Sequence, residues 1–83
     1  MRKPSQILTK TLSNNIKKLR SDMNLSQEEL ADKCGLHRTY VGAVERGERN
    51  VTLSSLEVLA LALNVDVPTL LTDKAKCLIW MQD

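Results

Sequence analysis

Of the residue types that make and break bonds, the sequence holds few, and none in a working arrangement. His37 is the single histidine, and no serine, cysteine or carboxylate stands where it would complete a nucleophile, base and orienter set. Cys34 and His37 are spaced like half of a zinc site, but the other half is missing, and Cys77 alone does not complete it. No glycine-rich phosphate loop occurs. These absences argue against an enzyme, a bound metal, a cofactor or a small-molecule ligand. Cys34 is then expected as a small core residue.

The chemistry on offer is recognition. Between His37 and Gly47, Val41 and Val44 lie three apart and are expected to face a core with Leu36. On the other side Arg38 and Gly42 are four apart, as are Thr39 and Ala43. A guanidinium and a hydroxyl over two very small residues suit a helix that presses into a groove. Arg38 can offer two donors to the major-groove acceptors of guanine, and Thr39 a hydroxyl or a methyl to a base edge. Gly42 costs a helix about 1 kcal/mol against alanine, which calls for a reason such as close approach to bases. Arg38, Thr39, Gly42 and Ala43 are therefore the candidate base-reading set. Gln27, His37, Tyr40, Arg46, Arg49 and Asn50 are candidate phosphate anchors around it, since phosphate contacts fix register while base contacts carry sequence preference. Plainer roles stay open: Tyr40 as a half-buried ring, Gln27 as a first-turn residue, Arg46 and Arg49 as solvent partners of Glu45 and Glu48.

These residues need short helices to hold them. Leu8, Leu12, Ile16, Leu19 and Met23 form one apolar stripe and predict a first helix over residues 5–23. Lys10, Lys17 and Lys18 fall off that stripe. Ser26-Gln27-Glu28-Glu29 is a capping box opening a second helix that runs to Cys34 and stops at Gly35. Leu36 is expected as a buried plug before a third helix that starts near His37 and ends at Gly47. A fourth is expected to open at Thr52 or Ser54, with a second box at Ser54–Glu57, and to run to Leu63. Asp66 caps a fifth, with Pro68 in its first turn and Leu70-Leu71 buried. Residues 74–81 read as a last short helix or a tail. The expected fold is all-α: a compact five-helix domain over residues 1–83, with the helix-turn-helix at 26–47.

Leu25-Ser26-Gln27-Glu28-Glu29-Leu30-Ala31, Gly35-Leu36, Arg38-Thr39-Tyr40-Val41 and Val44-Glu45-Arg46-Gly47 resemble the lambda-repressor-like (Xre) helix-turn-helix family. Within it, Leu36–Gly42 followed by Val44–Val51 is similar to controller proteins of bacterial restriction–modification systems. The resemblance implies a transcriptional regulator that binds double-stranded DNA at inverted repeats as a homodimer. It also implies that Arg20 and Glu45 form a buried ion pair, for orientation more than net stability. Ala43 stands where the family often has a longer polar side chain, which leaves direct readout resting heavily on Arg38. A phage-type repressor, or an antitoxin-like protein whose main partner is another protein, is the alternative.

Composition agrees with a regulator. Net charge is only +2, yet residues 1–20 carry Arg2, Lys3, Lys10, Lys17, Lys18 and Arg20 with no acid. Such a basic pole suits a polyanionic partner on one side, or equally a solvated face and tail. No apolar run reaches the ~18 residues of a membrane span, and no apolar segment follows the basic start. A cytoplasmic protein with reduced thiols is expected, in bacteria by the resemblance. Val58, Leu61, Val67, Leu78, Ile79 and Trp80 exceed what one thin core needs. They point to a dimerisation region over about 52–83, unless residues 78–81 fold back on their own core.

Overall fold

A computed structural model describes residues 6–73. They form five helices: α1 (Gln6–Asp22), α2 (Gln27–Cys34), α3 (Arg38–Glu45), α4 (Leu53–Ala62) and α5 (Val67–Leu70). Each junction has a local cause. Ser26 Oγ accepts from the Glu29 N–H at 3.0 Å while Glu29 Oε1 accepts from the Ser26 N–H at 2.9 Å, so α2 opens on the expected reciprocal box. Gly35, with φ +68°, closes α2 in the left-handed conformation that a side chain would strain. The Leu36 N–H then returns to the Ala31 carbonyl at 2.9 Å, turning the chain sharply into α3.

Two helix starts are fixed more closely than the sequence allows. His37 is the cap of α3 and not part of it; its Nδ1 accepts the Thr39 N–H at 3.1 Å. Thr52 caps α4 by accepting from the Ser55 N–H at 3.2 Å, so the box at Ser54–Glu57 does not form. With Thr52 as the cap, Ser54 lies in the first turn, its hydroxyl 3.2 Å from that of Thr52. Asp66 caps α5 through the Thr69 N–H at 3.1 Å, as its spacing from Pro68 predicts.

The helices pack as a closed ring: α1 on α3, α3 on α2, α2 on α4, α4 on α5, and α5 back on α1. Inside it Ile16, Leu30, Val41, Leu59 and Leu70 are fully buried, one from each helix. Burying each side chain contributes about 1.5–3 kcal/mol, so all five helices depend on one cluster. The packed part of the α1 stripe begins at Leu12; Leu8 stays exposed. Leu36 and Leu71 are half-buried at the edge of the cluster and not sealed within it. Cys34 sits at the same edge. Its thiol faces the Val58 carbonyl at 3.6 Å, and burial pushes its pKa up. Asn15 ties the ring shut: its amide donates to the Leu70 and Thr72 carbonyls at 2.8 and 3.1 Å, capping the end of α5 from α1.

Candidate nucleic-acid interface

Held between α1 and α2, α3 is covered along most of its length. Val41, Gly42, Ala43, Val44 and Glu45 are all buried, a run longer than one helix face. Only its first turn projects. Arg38 and Thr39 are exposed, and Tyr40 is half-buried. This corrects the expected outward face. Gly42 and Ala43 do not lie open beside Arg38 and Thr39; Ala43 keeps only 8% of its surface. The reason is two-sided packing, because one neighbour would leave half of the helix free and α3 has two.

The space over Gly42 is filled by the protein itself. A Cβ there would come within 3.2 Å of Arg46 Nη1 and 3.3 Å of Gln27 Oε1. Gln27 crosses the glycine to donate from Nε2 to Glu45 Oε1 at 2.9 Å. Glu45 also receives Arg20, with Nε to Oε2 at 2.6 Å and Nη2 to Oε1 at 3.0 Å. Arg20 Nη1 donates in turn to the Leu25 carbonyl at 2.8 Å, just ahead of α2. The hydrogen bond to Glu45 raises the Arg20 pKa still further above its ordinary range, against the opposing effect of burial. A buried carboxylate thus binds α1, the start of α2 and the end of α3 at one point. The sequence predicts the Arg20–Glu45 pair but places Gln27 only among the phosphate anchors, not at Glu45. A glycine in mid-helix signalled a close approach without saying by what.

Two open clefts flank Arg46. One, of about 580 Å³, lies between the start of α2 and the first turn of α3, and includes Ser26, Gln27, Arg38, Thr39 and Gly42 in its lining. The other, of about 1090 Å³, lies between α1 and the loop after α3, and brings Lys10, Asn14 and Lys17 opposite Arg46, Arg49 and Asn50. The guanidinium of Arg49 stands 5.7 Å from the centroid of the Tyr40 ring. Arg46 pairs with Glu48 at 3.1 Å, and Arg38 makes only a loose contact with Glu28 at 3.8 Å, all four side chains more than half exposed. Such pairs are worth little and yield readily to a stronger anion. The candidate anchors Gln27, His37, Tyr40, Arg46, Arg49 and Asn50 therefore all border the projecting turn or the clefts beside it, although His37 is engaged as a cap. Among the described residues no cluster of three or more metal-ligating side chains occurs.

Of the expected self-interface, Leu61 is 80% exposed and Val58 is exposed to a lesser degree, while Val67 packs against the core. Leu53, absent from the sequence reading, is 79% exposed four and eight residues from Glu57 and Leu61. Leu78, Ile79 and Trp80 lie outside the described residues, as does Cys77. No described helix is long and apolar enough to cross a membrane.

Comparison with known proteins places this geometry. The helix-turn-helix family HTH_3 matches residues 16–70. Control protein C.SmaI of Serratia marcescens is 62% identical over 61 residues, covering 74% of this chain and 73% of that protein. Among solved structures, a hypothetical transcription factor, NHTF, from Neisseria is 42% identical with a TM-score of 0.83, over 99% of this chain and 93% of that one. The restriction–modification controller protein C.AhdI of Aeromonas hydrophila is 44% identical with a TM-score of 0.72, over 75% and 94%. SinR, a master regulator of biofilm formation, solved in complex with DNA, is 34% identical with a TM-score of 0.71, over 74% and 98%. The five-helix ring, the turn at Gly35 and these likenesses have one consequence: the chain belongs to the helix-turn-helix family of DNA-binding transcription regulators, not to an enzyme family, and is similar to restriction–modification controller proteins.

Proposed function

We propose that this chain controls a bacterial restriction–modification system from the cytoplasm, binding an inverted-repeat operator as a homodimer. The observation that carries the reading is the lone projecting turn of α3: Arg38 and Thr39 stand exposed at the end of a helix whose remainder is covered. The N-terminal residues of a recognition helix are the ones that meet base edges, and an exposed, loosely paired guanidinium there suits guanine. With Gly42 and Ala43 covered, readout rests on Arg38 and Thr39, and the deformability of the duplex supplies more of the preference. Gln27, His37, Tyr40, Arg46, Arg49 and Asn50 serve as phosphate anchors. The similarity to C.SmaI and C.AhdI, named as control or controller proteins, supports the regulatory role, and SinR in complex with DNA supports the DNA partner. Leu53, Val58 and Leu61 supply the apolar face for pairing two copies, which would present recognition helices about 34 Å apart, one turn of B-DNA.

Arg38→Ala tests the reading. Arg38 is exposed and loosely paired, so melting should be unchanged. Affinity for the DNA upstream of its own gene should fall by ~1–3 kcal/mol, with affinity for unrelated duplex nearly unaltered. A variant that binds the upstream duplex as well as the parent would remove Arg38 from readout.

A further inference from the structure

One wall of the larger cleft has no part in the proposed readout. Lys10 and Lys17 stand on α1 seven residues apart, two helical turns, with Asn14 between them on the same side. Lys18, the other lysine of α1, pairs with Asp22 at 3.3 Å. Lys10 and Lys17 form no ion pair among the described residues, although Asp73 lines a smaller cleft with Lys10 and Asn14. Facing them are Arg46, Arg49 and Asn50. The acids here do not balance this charge. Glu45 is buried and taken by Arg20 and Gln27, and Glu48 is taken by Arg46. Four cations thus look across an open cleft at one surface carboxylate. The Arg20–Glu45 pair ties α1 to the end of α3 beside these walls.

We infer that Lys10, Asn14 and Lys17 form a track on α1 for the DNA backbone, extending the contact beyond the helix-turn-helix. The inference rests on the DNA-binding reading. Arg46 lines both clefts, so the track continues without a break from the surface beside Arg38 and Thr39. Its length suits a strand: seven residues rise ~10.5 Å along a helix, far enough for Lys10 and Lys17 to meet separate phosphates. A small anion would need an enclosed pocket, whereas a polyanion lying across an open cleft meets both walls together. Contacts of this kind are blind to sequence.

The test is the salt dependence of binding for the intact chain carrying Lys10→Gln and Lys17→Gln. The probes are the duplex upstream of its own gene and an unrelated duplex of equal length. The slope of log affinity against log salt should fall by about two, one for each lysine that no longer meets a phosphate. Both duplexes should weaken by the same factor, melting should not change, and Lys10→Arg with Lys17→Arg should keep the parental slope. An unchanged slope in the glutamine variant, while Arg38→Ala still fails on the upstream duplex, would overturn the track and leave the reading intact. If the parent protein binds neither duplex, the reading falls and the track falls with it.

Discussion

Gly42 shows how one residue serves packing where its type suggested contact with bases. Gln27 and Arg46 lie across it, and a methyl group would meet the far ends of both at 3.2–3.3 Å. Two effects of Gly42→Ala therefore oppose each other. Alanine favours the helix by about 1 kcal/mol. Against that, Gln27 must give way while bound to Glu45. Arg46 is exposed and moves at little cost. The net change in stability should be small, within about 1 kcal/mol or roughly 4–8 °C of melting temperature. DNA affinity should fall several-fold, since both displaced side chains border the reading turn. Thermal melting together with a duplex titration checks this; intact affinity would mean that Gln27 and Arg46 do not need their present positions. Glu45 is the other residue with a fixed task. Removing Arg20 alone would leave a buried carboxylate short of a charge partner, a loss of the order of 3–5 kcal/mol in buried pairs.

At the level of elements, α2, α3, α4 and α5 each start on a side chain that accepts from an amide of the first turn, and a carboxylate takes part at two of these starts. The Glu29 carboxylate is held below its ordinary pKa of 4.5 by the Ser26 N–H, with the Ser26 hydroxyl adding to this, and Asp66 below 3.8 by the Thr69 hydroxyl and N–H. A carboxyl whose folded pKa is depressed stabilises the fold above its ordinary pKa, and that stability is lost as pH falls through the folded value. The helix dipoles act in the same sense. Glu29→Ala should therefore melt below the parent at pH 7, and the gap should narrow as pH is lowered from about 5 to 3. A gap that holds constant over that range would show that the carboxylate's charge plays no part. The caps were legible in the sequence because a capping box spans only four residues. The box at Ser54–Glu57 shows the limit of local pattern: Thr52 and Ser54 both suit a cap, and with Thr52 as the cap Ser54 falls inside the first turn.

Considered whole, the molecule would keep the proposed reading and the proposed pairing on separate helices. In the proposed reading the exposed turn of α3 and the basic clefts meet DNA, while Leu53, Leu61 and, less fully, Val58 leave an apolar face of α4 exposed. α2 packs between α3 and α4, so pairing through α4 would set the angle of two reading turns through a rigid core. Leu61→Asp places a charge on that face without touching the buried cluster. It should halve the mass measured by sedimentation, lower the melting temperature where pairing supports the fold, and make operator binding rise more steeply with protein concentration. An unchanged mass in both proteins would remove α4 as the dimer face.

What the sequence determined by itself was local. Helix periodicity, the box at Ser26, the stop at Gly35, the cap at Asp66 and the motif over residues 25–51 are read from neighbours a few positions apart, where backbone geometry dictates the spacing. Tertiary structure decided which sides those helices show. Periodicity places residues around a helix's own axis, but α3 meets α1 and α2 together, and only their joint placement buries Gly42 and Ala43. The same placement carries Gln27 to Glu45 and sets Lys10 and Lys17 opposite Arg46 and Arg49. Such contacts join residues far apart in the chain, and no spacing along it encodes where two helices cross.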